Sequence, residues 1–136
     1  MKIETRFPGG VRVDAVVRGF TVPTDQPFEN GGFDTAPSPY ELFLASLTAC
    51  AGLYAVQFCR KRGISTDGLR LSAVASKEAE SHLMDSIRID LELPHGFPEQ
   101  YRAAILRSID QCAIKRALEN PPKVESRIAG ESVVAA

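Results

Sequence analysis

In 136 residues the sequence has no tryptophan, two histidines (His82 and His95) and three cysteines (Cys50, Cys59 and Cys112). Two histidines exclude a multi-histidine metal site within one chain, and no metal is expected. Three widely spaced cysteines do not fit the disulfide-stapled scaffold of small secreted proteins. The phosphate-cradling patterns GxGxxG and GxxxxGKS/T are absent, as are HExxH, GxSxG and CxxC. No nucleotide or other cofactor is therefore implied. Charge of one sign is lacking too: 16 basic against 17 acidic side chains leave a net −1, which offers no electrostatic footprint for nucleic acid or an anionic membrane. The N-terminal MKIETRFPGGVRV has no apolar core of the signal-peptide kind, and the expected location is cytoplasmic, with the thiols reduced at rest.

The length suits one domain over residues 1–136 with a sizeable core. Val11, Val13, Ala15 and Val17 alternate with other residues in the pattern of a half-buried strand. Pro8-Gly9-Gly10 reads as a turn, pairing that strand with Lys2–Phe7. Phe20–Val22 forms a third short strand, and Thr24–Pro37 reads as loop. Leu69, Leu71, Ala73 and Ala75 alternate, as do Ile87, Ile89, Leu91 and Leu93, with a polar connection over Lys77–Asp85 between them. A second helical stretch opens at Pro98, carries Tyr101, Ile105, Ile109 and Cys112 on one face, bends or restarts near Cys112, and ends at Asn120-Pro121-Pro122. Val124–Ile128 is expected as a last strand, before a loose tail. The order βββ–α–ββ–α–β predicts an α+β domain and disfavours a parallel doubly wound sheet, because short turns join most strands.

The first helix carries the clearest signals. Ser38 suits the N-cap, Pro39 the first helical position, and Glu41 the reciprocal place in a capping box. Arg60, Lys61 and Arg62 suit the negative end of the helix dipole, and Gly63 a left-handed stop. From Leu42 to Cys59 no residue is charged, an 18-residue window at the edge of the membrane-span criterion. Ser46, Thr48, Gly52 and Gln57 argue for a central buried helix instead, and no membrane is expected. One domain struggles to cover such a helix. Ala45, Ala49 and Gly52 form a small-residue stripe that could admit a second helix closely, so a homodimer is the expected solution.

His82 and His95 fall in loop or turn sequence and read as surface residues. Cys50 lies within the uncharged helix and Cys112 on the apolar face of the second. Each can be read as a small hydrophobe. The active alternative needs one thiolate to attack a peroxide oxygen and a second thiol to close a disulfide. A cation must lower the first thiol's pKa, since burial raises it; Arg6, Arg12 and Arg18 are candidates that spacing cannot separate. Cys59, nine residues beyond Cys50, falls on the opposite helix face and reads as structural.

Gly31-Gly32, followed by the run from Ala36 through Pro39 to Cys50, resembles the OsmC/Ohr family, as does a later helix with Cys112, Leu118 and Pro121-Pro122. The resemblance implies an OsmC-like fold: an intertwined homodimer with antiparallel sheets wrapped around long central helices. It also implies thiol-dependent reduction of an organic hydroperoxide in oxidative or osmotic stress defence, with an external dithiol such as a lipoylated protein as reductant. By analogy Cys50 is the peroxidatic thiol and Cys112 the resolving thiol, completed by an Arg and a Glu. Arg12 follows Gly9-Gly10 much as the family Arg follows a Gly pair, with one extra residue between. The family Glu directly follows the proline; here Tyr40 stands there and Glu41 one place later, where the capping box also explains it. The chain looks closer to the OsmC-like branch of poorly defined substrates than to the well-characterised peroxidases. The alternative is a non-catalytic homodimer of the same fold that binds a small apolar ligand at its interface; a nucleophilic Cys50 in acyl transfer ranks last, because no general base is evident.

Overall fold

The computed structural model describes residues 1–77 and 84–130. Two antiparallel sheets and three α-helices form an α+β arrangement. Strands β1 (Glu4–Gly9), β2 (Arg12–Val17) and β3 (Phe20–Val22) make the first sheet, in that spatial order. Strands β4 (Arg70–Lys77) and β5 (Met84–Glu92) make the second. The helices are α1 (Pro39–Arg60), α2 (Arg102–Ile109) and α3 (Ala113–Glu119). The expected polar connection over Lys77–Asp85 begins and ends in strand; residues 78–83, with His82, lie outside the described residues, as does the tail from residue 131.

Helix α1 starts as its sequence dictates. The Ser38 hydroxyl accepts the Glu41 N–H, the Glu41 carboxylate accepts the Ser38 N–H at 2.7 Å, and Pro39 occupies the first turn. At the other end the Ile64 N–H reaches the Cys59 carbonyl at 3.0 Å and the Gly63 N–H reaches Arg60. With Gly63 at φ +64°, this is the Schellman closure. One side of α1, running through Leu47, Ala51, Ala55, Phe58 and Cys59, is buried together with Ile105, Ile109, Cys112 and Phe97. Alternate β5 residues Ile87, Ile89 and Leu91 pack against this core, as does Leu71 of β4. Full burial of an aliphatic side chain such as Ile105 contributes roughly 1.5–3 kcal/mol.

The other side of α1 is uncovered. Ala45 and Ala49 are exposed and Leu53 is 53% exposed. Gly52, expected in the same stripe, instead turns partly inward: a Cβ there would sit 3.9 Å from Leu71 Cδ1. By length and composition α1 could cross a membrane, with mean hydropathy 1.7, and only 28% of that apolar window is buried within the chain. The first sheet leaves its own apolar residues exposed too, Phe7 and Phe20 among them. Its strands contact one another and scarcely touch the α1 core.

The expected last strand over Val124–Ile128 does not form. Val124 is 85% and Ile128 63% exposed, and no strand neighbour pairs with the segment. The preceding Pro121-Pro122 removes two backbone donors, and within one chain no sheet edge lies against it. The second helical stretch restarts near Cys112 as expected: after a 3-10 turn over Glu99–Tyr101, α2 and α3 are separated at Asp110–Cys112.

Between β3 and α1 the loop is organised by Asp25, which is only 1% exposed. Its carboxylate accepts the Thr35 hydroxyl at 2.7 Å and the N–H groups of Gln26, Phe33 and Thr35. The Asp25 N–H donates to the Pro37 carbonyl, one residue before the α1 cap. Gly32 belongs to this knot: a Cβ there would lie 1.8 Å from the Gln26 carbonyl oxygen, so only glycine fits. Led by the Thr35 hydroxyl bond, and against burial, these donors lower the Asp25 pKa from 3.8 to about 2. A carboxylate whose folded pKa is depressed stabilises the native state fully above its unfolded pKa and loses that contribution as pH falls through the folded one. Unfolding titrations should therefore show wild-type stability falling between pH 3.8 and about 2; Asp25→Asn should be less stable at pH 7 and show a flatter profile across that window.

Candidate active site

The helix break at Asp110–Cys112 gives the site its geometry. The first N–H groups of any helix lack intrahelical acceptors and need partners. Cys112 occupies the N-cap of α3 in an extended conformation, φ −50° and ψ 123°, and its own side chain does not cap the helix. The N–H groups of Ala113 and Ile114 at the start of α3 instead act on the sulfur of Cys50, halfway along α1, and favour its ionised form. The Cys112 thiol neighbours Cys50 and also favours its ionised form, while its S–H donates to the Leu47 carbonyl with Sγ at 3.9 Å. Both cysteines are free thiols, Cys50 half-buried and Cys112 buried.

This arrangement makes the two sulfurs unequal. Burial acts most strongly on Cys50 and pushes its thiol up, but the bonds from Cys112, Ile114 and Ala113 together outweigh it and hold the pKa below its ordinary value. Cys112 moves the other way: burial, and then its bond to Cys50, hold it above its ordinary value. Cys50 thus ionises first, on the sulfur nearer to solvent, while Cys112 keeps a proton to donate. A thiolate is the nucleophilic form of cysteine. The pair therefore sets one readily ionised sulfur beside one that stays protonated.

The structure therefore brings Cys50 and Cys112 together. Cys59 is apart, fully buried in the α1 core; burial raises its thiol pKa, only partly offset by the Arg62 charge. Glu41 stands nine residues before Cys50 on the same helix, roughly 13 Å along the axis. Its Oε2 atom accepts the N–H of Ser38 at 2.7 Å and the hydroxyl at 2.8 Å. Those bonds, the backbone one first, lower its pKa. Tyr40 anchors the helix start from the other side, its hydroxyl accepting the Met84 N–H at 3.2 Å. Arg12 lies in the first sheet, 3.8 Å from Asp14, and its Nε is buried without a hydrogen-bond partner. Among the described residues no guanidinium contributes to the Cys50 pKa. His95 is exposed in its turn.

Sequence reasoning missed the backbone donors. The signal was faint: polar Asp110-Gln111 interrupting an apolar face just before Cys112. Two surroundings of the pair were also not foreseen. An apolar cavity of about 330 Å³, lined by Leu47, Ile87, Ile89, Leu106, Ile109 and Leu118 with Asp110 and Lys115, adjoins the Cys112 side. A more polar cleft of about 440 Å³, with Tyr54, Gln111, Arg116 and Asn120, opens beside Ala113.

The sequence pattern of the OsmC-like protein family matches residues 32–127, and the chain belongs to that family. Solved structures agree on the fold. A candidate osmotic stress induced and detoxification response protein from Psychrobacter arcticus 273-4 superposes with a TM-score of 0.75 at 18% identity, over 86% of this chain and 87% of that one. An OsmC-like protein from Mycoplasma pneumoniae gives 0.72 at 15% identity, over 88% and 87%. The organic hydroperoxide resistance protein OsmC from Legionella pneumophila gives 0.58 at 17% identity, over 86% and 87%. No curated protein is detectably similar to the chain in sequence.

Because the Cys112 thiol helps hold Cys50 ionised, Cys112→Ala should raise the Cys50 pKa. Thiolate absorbance at 240 nm or the pH dependence of alkylation, read at Cys50 by peptide mapping, checks this.

Proposed function

We propose that the protein reduces organic hydroperoxides with Cys50 and Cys112 and serves in oxidative or osmotic stress defence in the cytoplasm. The observation that carries this reading is the unequal thiol pair: a half-exposed Cys50 whose pKa is lowered beside a buried Cys112 whose pKa is raised. The Cys50 thiolate attacks the distal peroxide oxygen, the O–O bond breaks, and the alkoxide leaves as an alcohol after taking a proton. Cys50 becomes a sulfenic acid. The Cys112 sulfur then attacks Cys50, water departs, and a disulfide forms. An external dithiol, such as that of a lipoylated protein, takes the disulfide back to two thiols; Cys59 is too deeply buried to serve. The apolar cavity beside Cys112 favours hydrophobic hydroperoxides.

The working unit in this reading is a homodimer, with neither nucleic acid nor membrane as partner. Two surfaces that the described residues leave uncovered support it: the Ala45, Ala49 and Leu53 face of α1, and a first sheet that scarcely touches the α1 core. A second copy covers the first with its own α1 and brings its first sheet, with Arg12, towards Cys50. A guanidinium there would receive the charge developing on the departing oxygen, and the unpartnered Arg12 Nε is consistent with a missing acceptor. Glu41 then acts at a distance, by holding the start of the helix that carries Cys50. A second reading, an apolar-ligand carrier without turnover, draws on the same cavity of about 330 Å³; native mass spectra would show retained ligand.

One equivalent of cumene hydroperoxide added to reduced protein should give a rapid Cys50–Cys112 disulfide by non-reducing peptide mapping, with peroxide consumed in step. Cys50→Ser should abolish peroxide consumption, whereas Cys112→Ser should allow a single oxidation and then stall at the sulfenic acid. Slow, indiscriminate oxidation that includes Cys59 would overturn the reaction. Sedimentation should separately give the mass of two chains, and Ala49→Glu, placing a charge in the uncovered stripe, should shift it to one; a wild-type monomer would remove the dimer from the proposal.

A further inference from the structure

Away from the thiols, cations from two helices converge on one place. Lys61 and Arg62, just past the last turn of α1, and Arg107, in the last turn of α2, line an open cleft of about 430 Å³ with Gln57, Tyr54 and Ser108. Among the described residues no carboxylate lines it. Among the described residues none of the three cations forms an ion pair; those pairs use Lys2, Arg12, Arg88, Arg102, Lys115 and Lys123. In a chain of net charge −1, three uncompensated cations in one cleft do not follow from composition.

The cleft is also held in shape. The Arg62 guanidinium lies 3.8 Å over the Phe58 ring and 5.4 Å from that of Tyr101, and its Nη1 donates to the Phe58 carbonyl at 3.4 Å. These contacts fix the plane of the guanidinium and leave N–H groups unspent. The Ser108 hydroxyl donates to the Tyr54 carbonyl at 3.3 Å, which fastens α2 to α1 and sets the width between the two sides. Favourable interaction with helix C-termini accounts for each cation singly. It does not require cations of two helices to face one unoccupied volume.

We propose that this cleft binds the phosphate group of a small molecule. Two planar guanidinium forks and an ammonium, beside a Gln57 amide, present more charge-assisted donors than one carboxylate accepts, and they match a dianionic tetrahedral group. The volume exceeds that of a bare phosphate and leaves room for an organic part along Tyr54. Lys61 is eleven residues beyond Cys50 on α1, roughly 16 Å along the axis, so the inference does not rest on the thiol reaction.

Calorimetric titration of the reduced full-length chain with inorganic phosphate and with phenyl phosphate, at ionic strength held constant with chloride, tests it. Saturable binding of one phosphate per chain is expected, weakened about tenfold in Arg107→Gln, the loss of one charge-assisted contact. Arg62→Lys, which keeps the charge and loses the fork, should weaken it as well. Arg102→Gln, on the same helix but paired with Glu99 outside the cleft, should leave it unchanged. Tighter binding of phenyl phosphate identifies an organic phosphate as the source; equal affinities identify the free ion. Absence of saturable binding, or equal weakening by Arg107→Gln and Arg102→Gln, would overturn the proposal.

Discussion

An uncharged helix must be covered, and in this chain cover is available on one side only. Helices α2 and α3 and the β4–β5 hairpin all pack against the Leu47–Ala51–Ala55–Phe58 side of α1, where the core residues concentrate. Everything else is arranged around that choice. The loop tied by Asp25 ends at the α1 cap, and the first sheet hangs beyond it without a core of its own. Cys50 falls on the line where cover stops. Its sulfur is close enough to α3 to take backbone hydrogen bonds, yet is half exposed, while Cys112 one layer deeper is sealed.

That boundary gives the thiol pair its polarity without a cation among the described residues. A buried thiol ordinarily resists ionisation. Here the helix break frees two N–H groups, and the cheapest acceptor for them is a sulfur carrying negative charge. The same break sets Cys112 beside Cys50, and the two sulfurs diverge: Cys50 is lowered by the groups around it, and Cys112 is raised by its depth and then by Cys50. The strain-free way to build this is a short helix started by the second cysteine itself. A continuous helix through Cys112 would have spent the Ala113 and Ile114 N–H groups on carbonyls of the preceding turn.

Much of this was legible in the residues. The α1 boundaries followed from Ser38, Pro39, Glu41 and Gly63 because capping is local chemistry that depends on few residues. The alternation from Ile87 to Leu93 marked β5 because one face meets the core. The bend near Cys112 was visible as a loss of apolar periodicity. The failures share a different cause. Val124–Ile128 has strand-like residues and no strand to pair with inside the chain, and pairing is not a local property. Gly52 was grouped with Ala45 and Ala49 by spacing, but it sits at the edge of the covered side, facing Leu71. The donors to Cys50 were illegible because backbone N–H groups carry no residue identity; only the fold reveals which are left free.

The positions of Tyr40 and Glu41 show how a one-residue shift redistributes roles. Along a helix one residue is about 100° of rotation, so a carboxylate displaced from the place after the proline changes the surface it faces. In this chain the displaced acid meets the N-cap, and its charge is taken up by the Ser38 N–H and hydroxyl. Tyr40, in the vacated place, reaches β5 through the Met84 N–H and stacks on Phe43 with ring centroids 6.3 Å apart. Both residues therefore act on the orientation of α1 rather than on sulfur. Among the described residues the groups that lower the Cys50 pKa belong to α3 and to Cys112, and neither Tyr40 nor Glu41 is one of them.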